Sequence, residues 1–146
     1  MTVNPTGLRV LIVEDNLADR RAITMLLEQA WPGTSPATDQ ADSVDAAKAR
    51  LEMQAYDFIL LDWRLTGQDG GALVSWLRER GDCTPCVVVS CWPQFLLSAD
   101  LVQHRVEYLD KYDLNASSLR RAMDRAVRLS HSSDRVQAAV TDRRRP

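Results

Sequence analysis

The sequence predicts an α/β fold with a parallel sheet, and three observations carry that expectation. Short uninterrupted apolar runs, rich in β-branched residues or leucine, alternate with segments of helical periodicity. Such runs suit strands covered on both faces, as in a parallel sheet. The alternation repeats five times with short connections, which implies right-handed crossovers between parallel neighbours. A chain of 146 residues fits one domain with a short tail, and a domain of that size builds a core without staples. Its 45% hydrophobic and 26% charged residues are ordinary for a globular protein.

The elements follow in order. Leu8 to Val13 reads as the first strand. After a polar start at Asn16, Ala22, Ile23, Leu26, Leu27 and Ala30 recur at the spacing of one helix face. The second strand, Ser35 to Asp39, is assigned from its place in the series. The second helix spans Ser43 to Met53, with Val44, Ala47 and Leu51 on one stripe and Ser43 as its N-cap. Phe58 to Leu61 forms the third strand, and a third helix after Gly70-Gly71 groups Leu73, Val74 and Leu77 before Gly81 stops it. Cys86 to Val89 is the fourth strand, and Pro93, a residue favoured in a first turn, begins the fourth helix. Arg105 to Leu109, again placed by position, precedes a fifth helix from about Ala116 carrying Leu119, Ala122, Met123, Ala126 and Val127. The domain is read as residues 7–130, with 131–146 a tail. That tail either extends the fifth helix, since Val136, Ala139 and Val140 fall at helical spacing, or serves as a linker.

Charge and composition exclude several classes. A net charge of -2 argues against a nucleic-acid binder. The terminal Arg143-Arg144-Arg145 reads as a solvated tail, and no length remains for a DNA-binding output domain. The start lacks the pattern of a secretory signal, and no apolar run approaches the roughly 20 residues that cross a bilayer. Three cysteines, an odd number, fit a reducing cytoplasm. Cys83-Thr84-Pro85-Cys86 precedes a strand instead of following one and has no second ligand pair, so it reads as structural, not as a redox or zinc motif. His104 and His131 are assigned no role.

In open α/β sheets, ligands collect at the carboxyl ends of strands, and there the chain places its chemistry. The first strand ends in Val13-Glu14-Asp15, the third in Leu61-Asp62, and the fourth in Val89-Ser90. Lys111 follows the fifth, after Tyr108-Leu109-Asp110. Three carboxylates on one rim repel one another unless a cation sits between them, and Mg2+, a hard oxygen-seeking ion, suits that need. Asp62 has the chemistry to attack phosphorus as a carboxylate nucleophile, giving an acyl phosphate. Glu14 and Asp15 would hold the metal. Ser90 offers a hydrogen bond to a phosphoryl oxygen, and Lys111 a point charge to another.

These pieces resemble the receiver domain of response regulators across roughly residues 7 to 130. The matching segments are LRVLIVEDN, FILLDWRLTGQDGG, VVVS and YLDK, with separations of 47, 28 and 21 residues linking Asp15, Asp62, Ser90 and Lys111. The resemblance implies a flavodoxin-like (βα)5 fold, with a five-stranded parallel sheet in the order 2-1-3-4-5 and helices on both faces. It implies phosphorylation of Asp62 by a histidine kinase or histidine phosphotransfer protein. The main-chain carbonyl of Arg64 joins Glu14, Asp15 and Asp62 as a Mg2+ ligand in that scheme, and Tyr108 is the aromatic switch. Ser90 moves toward the phosphoryl group, the ring turns inward, and the face of the fourth helix, fifth strand and fifth helix changes. Such a two-state coupling is typically about 1–3 kcal/mol. The module is a cytoplasmic switch, not an enzyme. Its output passes to a downstream protein or to a domain outside this chain, with Asp100, Asp110 and Arg120 as face positions a homodimer would use.

The sequence differs from the family pattern at five positions. Tyr112 stands where proline usually follows the lysine, so that bond is either trans or strained. Thr66 replaces a common proline, with Gly67 and Gly70 keeping the turn permissive. Arg64 and Trp92 are large at positions that in the family influence how readily water attacks the acyl phosphate, which predicts a long-lived signal. Cys91, larger than the usual alanine or glycine, narrows access for small donors. Two competing functions differ in signature. A haloacid-dehalogenase-like phosphatase needs a second aspartate where Arg64 stands. A degenerate receiver, acting without phosphorylation, would have lost the acceptor or the acidic pair, and both are present.

Overall fold

The computed structural model describes residues 7–33, 36–65 and 67–143, and of 131–143 the backbone alone. Five strands, β1 (Arg9–Val13), β2 (Ala37–Ala41), β3 (Phe58–Leu61), β4 (Cys86–Ser90) and β5 (Glu107–Asp110), form one sheet. Every pairing is parallel, and the order is β2-β1-β3-β4-β5. Between and after them run α1 (Leu17–Ala30), α2 (Val44–Met53), α3 (Gly70–Glu79), α4 (Gln94–His104) and α5 (Ala116–Arg143). This is the flavodoxin-like order that the sequence resemblance implied.

Strand alternation divides the core into two layers. Leu11, Val13, Ile59, Leu61, Cys86 and Val88 face Val44 and Ala47 of α2, Leu73 and Leu77 of α3, and Leu97 of α4. Val10, Ile12, Phe58, Leu60, Val87 and Val89 face Ile23 and Leu27 of α1 and Leu119, Ala122 and Met123 of α5. With both faces covered, the central strands lose all solvent contact, which is why they read as continuous apolar runs. Each buried leucine or isoleucine contributes about 1.5–3 kcal/mol relative to exposure.

Local chemistry sets the element ends. The Asn16 side chain accepts the Asp19 N–H at 3.0 Å and opens α1; Ser43 accepts the Ala46 N–H at 3.0 Å and opens α2. Asn115 and Ser118 cap α5 reciprocally, Ser118 N–H to Asn115 Oδ1 at 2.8 Å and Asn115 N–H to Ser118 Oγ at 2.9 Å. The backbone of α5 is helical through Arg143. The side chains of Val136, Ala139 and Val140 lie outside the described residues, as do Ser35 and Thr66.

Two strands are displaced from their sequence assignments. The second pairs from Ala37, because Pro36 has no N–H to donate, and it runs to Ala41. The fifth starts at Glu107, since Arg105 adopts a left-handed conformation (φ 54°, ψ 54°) and closes α4 instead. A hairpin of Arg64–Leu65 with Gln68–Asp69, turning through Gly67 at φ +84°, was not foreseen. No cis peptide bond occurs among the described residues. The Lys111–Tyr112 bond is therefore trans, inside a 3-10 turn, Lys111–Asp113, whose Tyr112 N–H meets Asp110 Oδ1 at 2.9 Å. The cysteines are unbridged, and Cys86 is wholly buried where β4 begins, which pushes its thiol up to about 11.

Candidate functional site

The carboxyl edge of the sheet collects the polar residues of three strand ends. β1 delivers Glu14 and Asp15, β3 delivers Asp62, and Lys111 arrives just past β5. Main-chain bonds fix these positions: Asp62 N–H to the Val13 carbonyl at 2.9 Å and Glu14 N–H to that of Ala41 at 3.0 Å. The Asp62 side chain accepts the Arg64 N–H at 3.3 Å. Behind it, α3 begins unusually close. A Cβ on Gly70 would lie 2.8 Å from the Asp62 carbonyl oxygen, and one on Gly71 would lie 2.9 Å from the Trp63 ring. The two glycines thus permit the first turn of α3 to press against the strand end that carries Asp62.

One ammonium holds the carboxylates together. Lys111 Nζ lies 3.0 Å from Glu14 Oε2, 3.3 Å from Asp62 Oδ2 and 2.9 Å from Asp19 Oδ2. Glu14 is only 1% exposed, while the Lys111 and Asp62 side chains are 14% and 11% exposed. Burial pushes the Glu14 carboxyl up to about 7, against hydrogen bonds from Lys111 and the Asn16 N–H. Burial works against the Lys111 charge too, but bonds to Asp19 and Glu14 and the charge of Asp62 outweigh it and raise its pKa above the usual lysine value.

Carboxylate oxygens of Glu14, Asp15 and Asp62 lie within 4.8 Å of one another. An all-oxygen, multiply anionic donor set of that size fits a hard divalent ion such as Mg2+.

Ser90 ends β4 fully buried, and its Oγ accepts the Trp92 N–H at 3.1 Å. Tyr108 donates its hydroxyl to the Trp92 carbonyl and, at 3.4 Å, to that of Ser90. The ring that the sequence marks as a switch is therefore tied to the loop that bears Ser90. Arg64 and Trp92, read as neighbours of the phosphoryl position, stack on each other, the guanidinium 4.6 Å from the ring centroid. Cys91 is exposed between Ser90 and Trp92. Asp19 was missed by sequence reading. An acid in a helix's first turn ordinarily signals the dipole alone, and nothing in the sequence marks its reach to Lys111.

A family model described as "Response regulator receiver domain" matches residues 10–124. The Sensory transduction protein LytR of Streptococcus mutans is 21% identical over 94% of this chain and 55% of its own length. The Transcriptional regulatory protein ResD of Bacillus subtilis is 33% identical over 56% of this chain and 32% of its own. The chain thus spans about half or less of the curated relatives it matches. Among solved structures, the response regulator receiver domain from Methylobacillus flagellatus superposes with a TM-score of 0.70 at 25% identity, covering 83% of this chain and 99% of that one.

Proposed function

Since the chain belongs to the response regulator receiver domain family, the signalling modules of two-component systems, we propose that it accepts a phosphoryl group on Asp62. The donor would be a histidine kinase or a histidine phosphotransfer protein, and the step would depend on Mg2+. The observation that carries this reading is the Lys111 ammonium bridging Glu14 and Asp62 beside Asp15, four residues drawn from three strand ends.

In this reading an Asp62 carboxylate oxygen attacks phosphorus. The new O–P bond forms as the P–N bond to the donor imidazole breaks, and the imidazole nitrogen keeps the electron pair. Glu14, Asp15, Asp62 and the main-chain carbonyl of Arg64 would hold Mg2+, which when bound neutralises charge on the transferred group. Lys111 pairs with a phosphoryl oxygen. Ser90 accepts from the Trp92 N–H, which leaves its own proton to donate to another oxygen. A shift of Ser90 toward the phosphoryl group carries the Ser90 and Trp92 carbonyls with it, and these are the acceptors of Tyr108. The Tyr108 ring then reseats in the groove it lines with Leu101, Val102, Val106 and Leu129, between α4, β5 and α5. A downstream protein, a domain outside this chain or a second copy would read that face.

We take residues 7–130 as the receiver unit and assign it to the cytoplasm. No helix among the described residues is long and apolar enough to cross a membrane. Trp63 adjoins Asp62 and Trp92 adjoins the Ser90 loop, so intrinsic fluorescence tests the proposal. Titration with Mg2+, then with a small acyl phosphate or beryllofluoride, should change the emission, and Asp62→Asn should abolish the response to the phosphoryl donor. Silence in the wild type, or an equal response in the variant, rejects it. Rapid decay of the acyl phosphate, unchanged in Arg64→Ala and Trp92→Ala, rejects the long lifetime assigned to those two residues.

A further inference from the structure

We infer that Asp19 is a positioning residue that tethers the Lys111 ammonium in the resting protein and is the contact released when an anion occupies the site. The inference rests on the phosphoacceptor reading of Asp62. An ammonium has three N–H donors, and in this structure three carboxylates take them: Asp19 at 2.9 Å, Glu14 at 3.0 Å and Asp62 at 3.3 Å. A phosphoryl oxygen that pairs with Lys111 needs a fourth donor, which does not exist. One of the three contacts must yield.

Burial decides which. Glu14 is enclosed, so water cannot take the place of the ammonium on the oxygen that Lys111 holds, a costly loss. Asp62 itself carries the incoming group. Asp19 has a side chain 44% exposed, and water replaces the lost ammonium there at small cost. The place of Asp19 is also well fixed. Its own N–H is bound by Asn16 Oδ1 at 3.0 Å, so the first turn of α1 holds the carboxylate at the site's edge while the side chain remains solvated. A contact made only in the resting state opposes binding by its own worth, and removing it favours the occupied state.

The test uses the full chain saturated with Mg2+ and titrated with beryllofluoride, a non-covalent stand-in for the phosphoryl group, read by tryptophan emission. Asp19→Asn should bind it about two- to five-fold more tightly, the range set by an exposed ion pair. Asp19→Glu, which restores the charge, should match the wild type. A second readout needs no anion: the side-chain ammonium NMR signal of Lys111, assigned by its loss in Lys111→Arg, should move in Asp19→Asn and stay in place in Asp19→Glu. Equal or weaker binding by Asp19→Asn, identical behaviour of the two variants, or an unmoved Lys111 signal overturns the tether while leaving Asp62 as acceptor. If wild type and variants alike ignore beryllofluoride, the phosphoacceptor reading falls and takes the tether with it.

Discussion

Toward the amino-terminal edge of the sheet, Asp39, midway along β2, accepts the Tyr56 hydroxyl at 2.6 Å and the Gln54 amide, with the Arg50 guanidinium 3.7 Å away. Asp57 accepts the Arg9 N–H at 2.8 Å. At the carboxyl edge, Glu14, Asp15 and Asp62 crowd within 4.8 Å, and the single ammonium that reaches Glu14 and Asp62 also serves Asp19. Both edges are rich in polar groups, yet the first matches its carboxylates with neutral donors and a balancing guanidinium, and the second gathers carboxylates around one that is buried, Glu14. Satisfied hydrogen bonding explains the first edge as architecture. At the second, burial disfavours the charged form of Glu14, and a carboxylate kept in such a place marks a candidate for use.

Four measurements test this contrast. The largest effect belongs to Asp62→Asn, which should abolish phosphoryl incorporation measured by intact mass while leaving the fold in place. Next comes pH. Glu14 has a folded pKa of about 7 against an ordinary 4.5, so its charge costs nothing below about pH 4.5. The cost grows between the two values and is complete above about 7. The metal-free protein should therefore lose on the order of 2–3 kcal/mol of stability as pH rises through that window. Urea unfolding should show Glu14→Gln lacking this component, and an identical pH profile for both proteins would refute the strain assigned to this edge. Gly70→Ala should destabilise by about 1–3 kcal/mol, because its Cβ would lie 2.8 Å from the Asp62 carbonyl oxygen, main chain that cannot swing aside, and 3.1 Å from the Leu61 side chain; thermal melts and slower phosphorylation would both report it. The smallest effect lies at the other edge. Tyr56→Phe removes the bond donated to Asp39 and the one accepted from Gln54 and should cost about 1–2 kcal/mol, with phosphorylation unchanged. A comparable loss of phosphorylation there would erase the distinction between the edges.

What the sequence makes legible follows the same physics. β1, β3 and β4 are buried on both faces, so their apolar runs stand out, and the residues just after them were found with them. β2 is a half-exposed edge strand of mixed residues, and its start depends on the missing N–H of Pro36, a signal weaker than hydrophobicity. Arg105 ends a helix in a conformation its residue type does not advertise. The Arg64–Asp69 hairpin is too short to leave a pattern. Glu14, Asp15, Asp62 and Lys111 could be placed on one rim because strand ends define it. Asp19 could not, because its role depends on a side-chain direction across the site, and the spacing of Gly70 and Gly71 gave no hint of their closeness to Asp62 and Trp63.

The Arg64–Trp92 stack joins two separate loops, the hairpin after β3 and the turn after β4, without a hydrogen bond between the side chains being needed to hold it. Stacked flat groups slide apart more readily than bonded ones separate, so in the lifetime role proposed for these two residues the pair would act as a shutter and not as a latch. If it stands over Asp62, the donor imidazole and the hydrolytic water share one doorway. Loading and decay would then slow or quicken together, and a change in the shutter would set how fast the protein forgets without altering how strongly it answers.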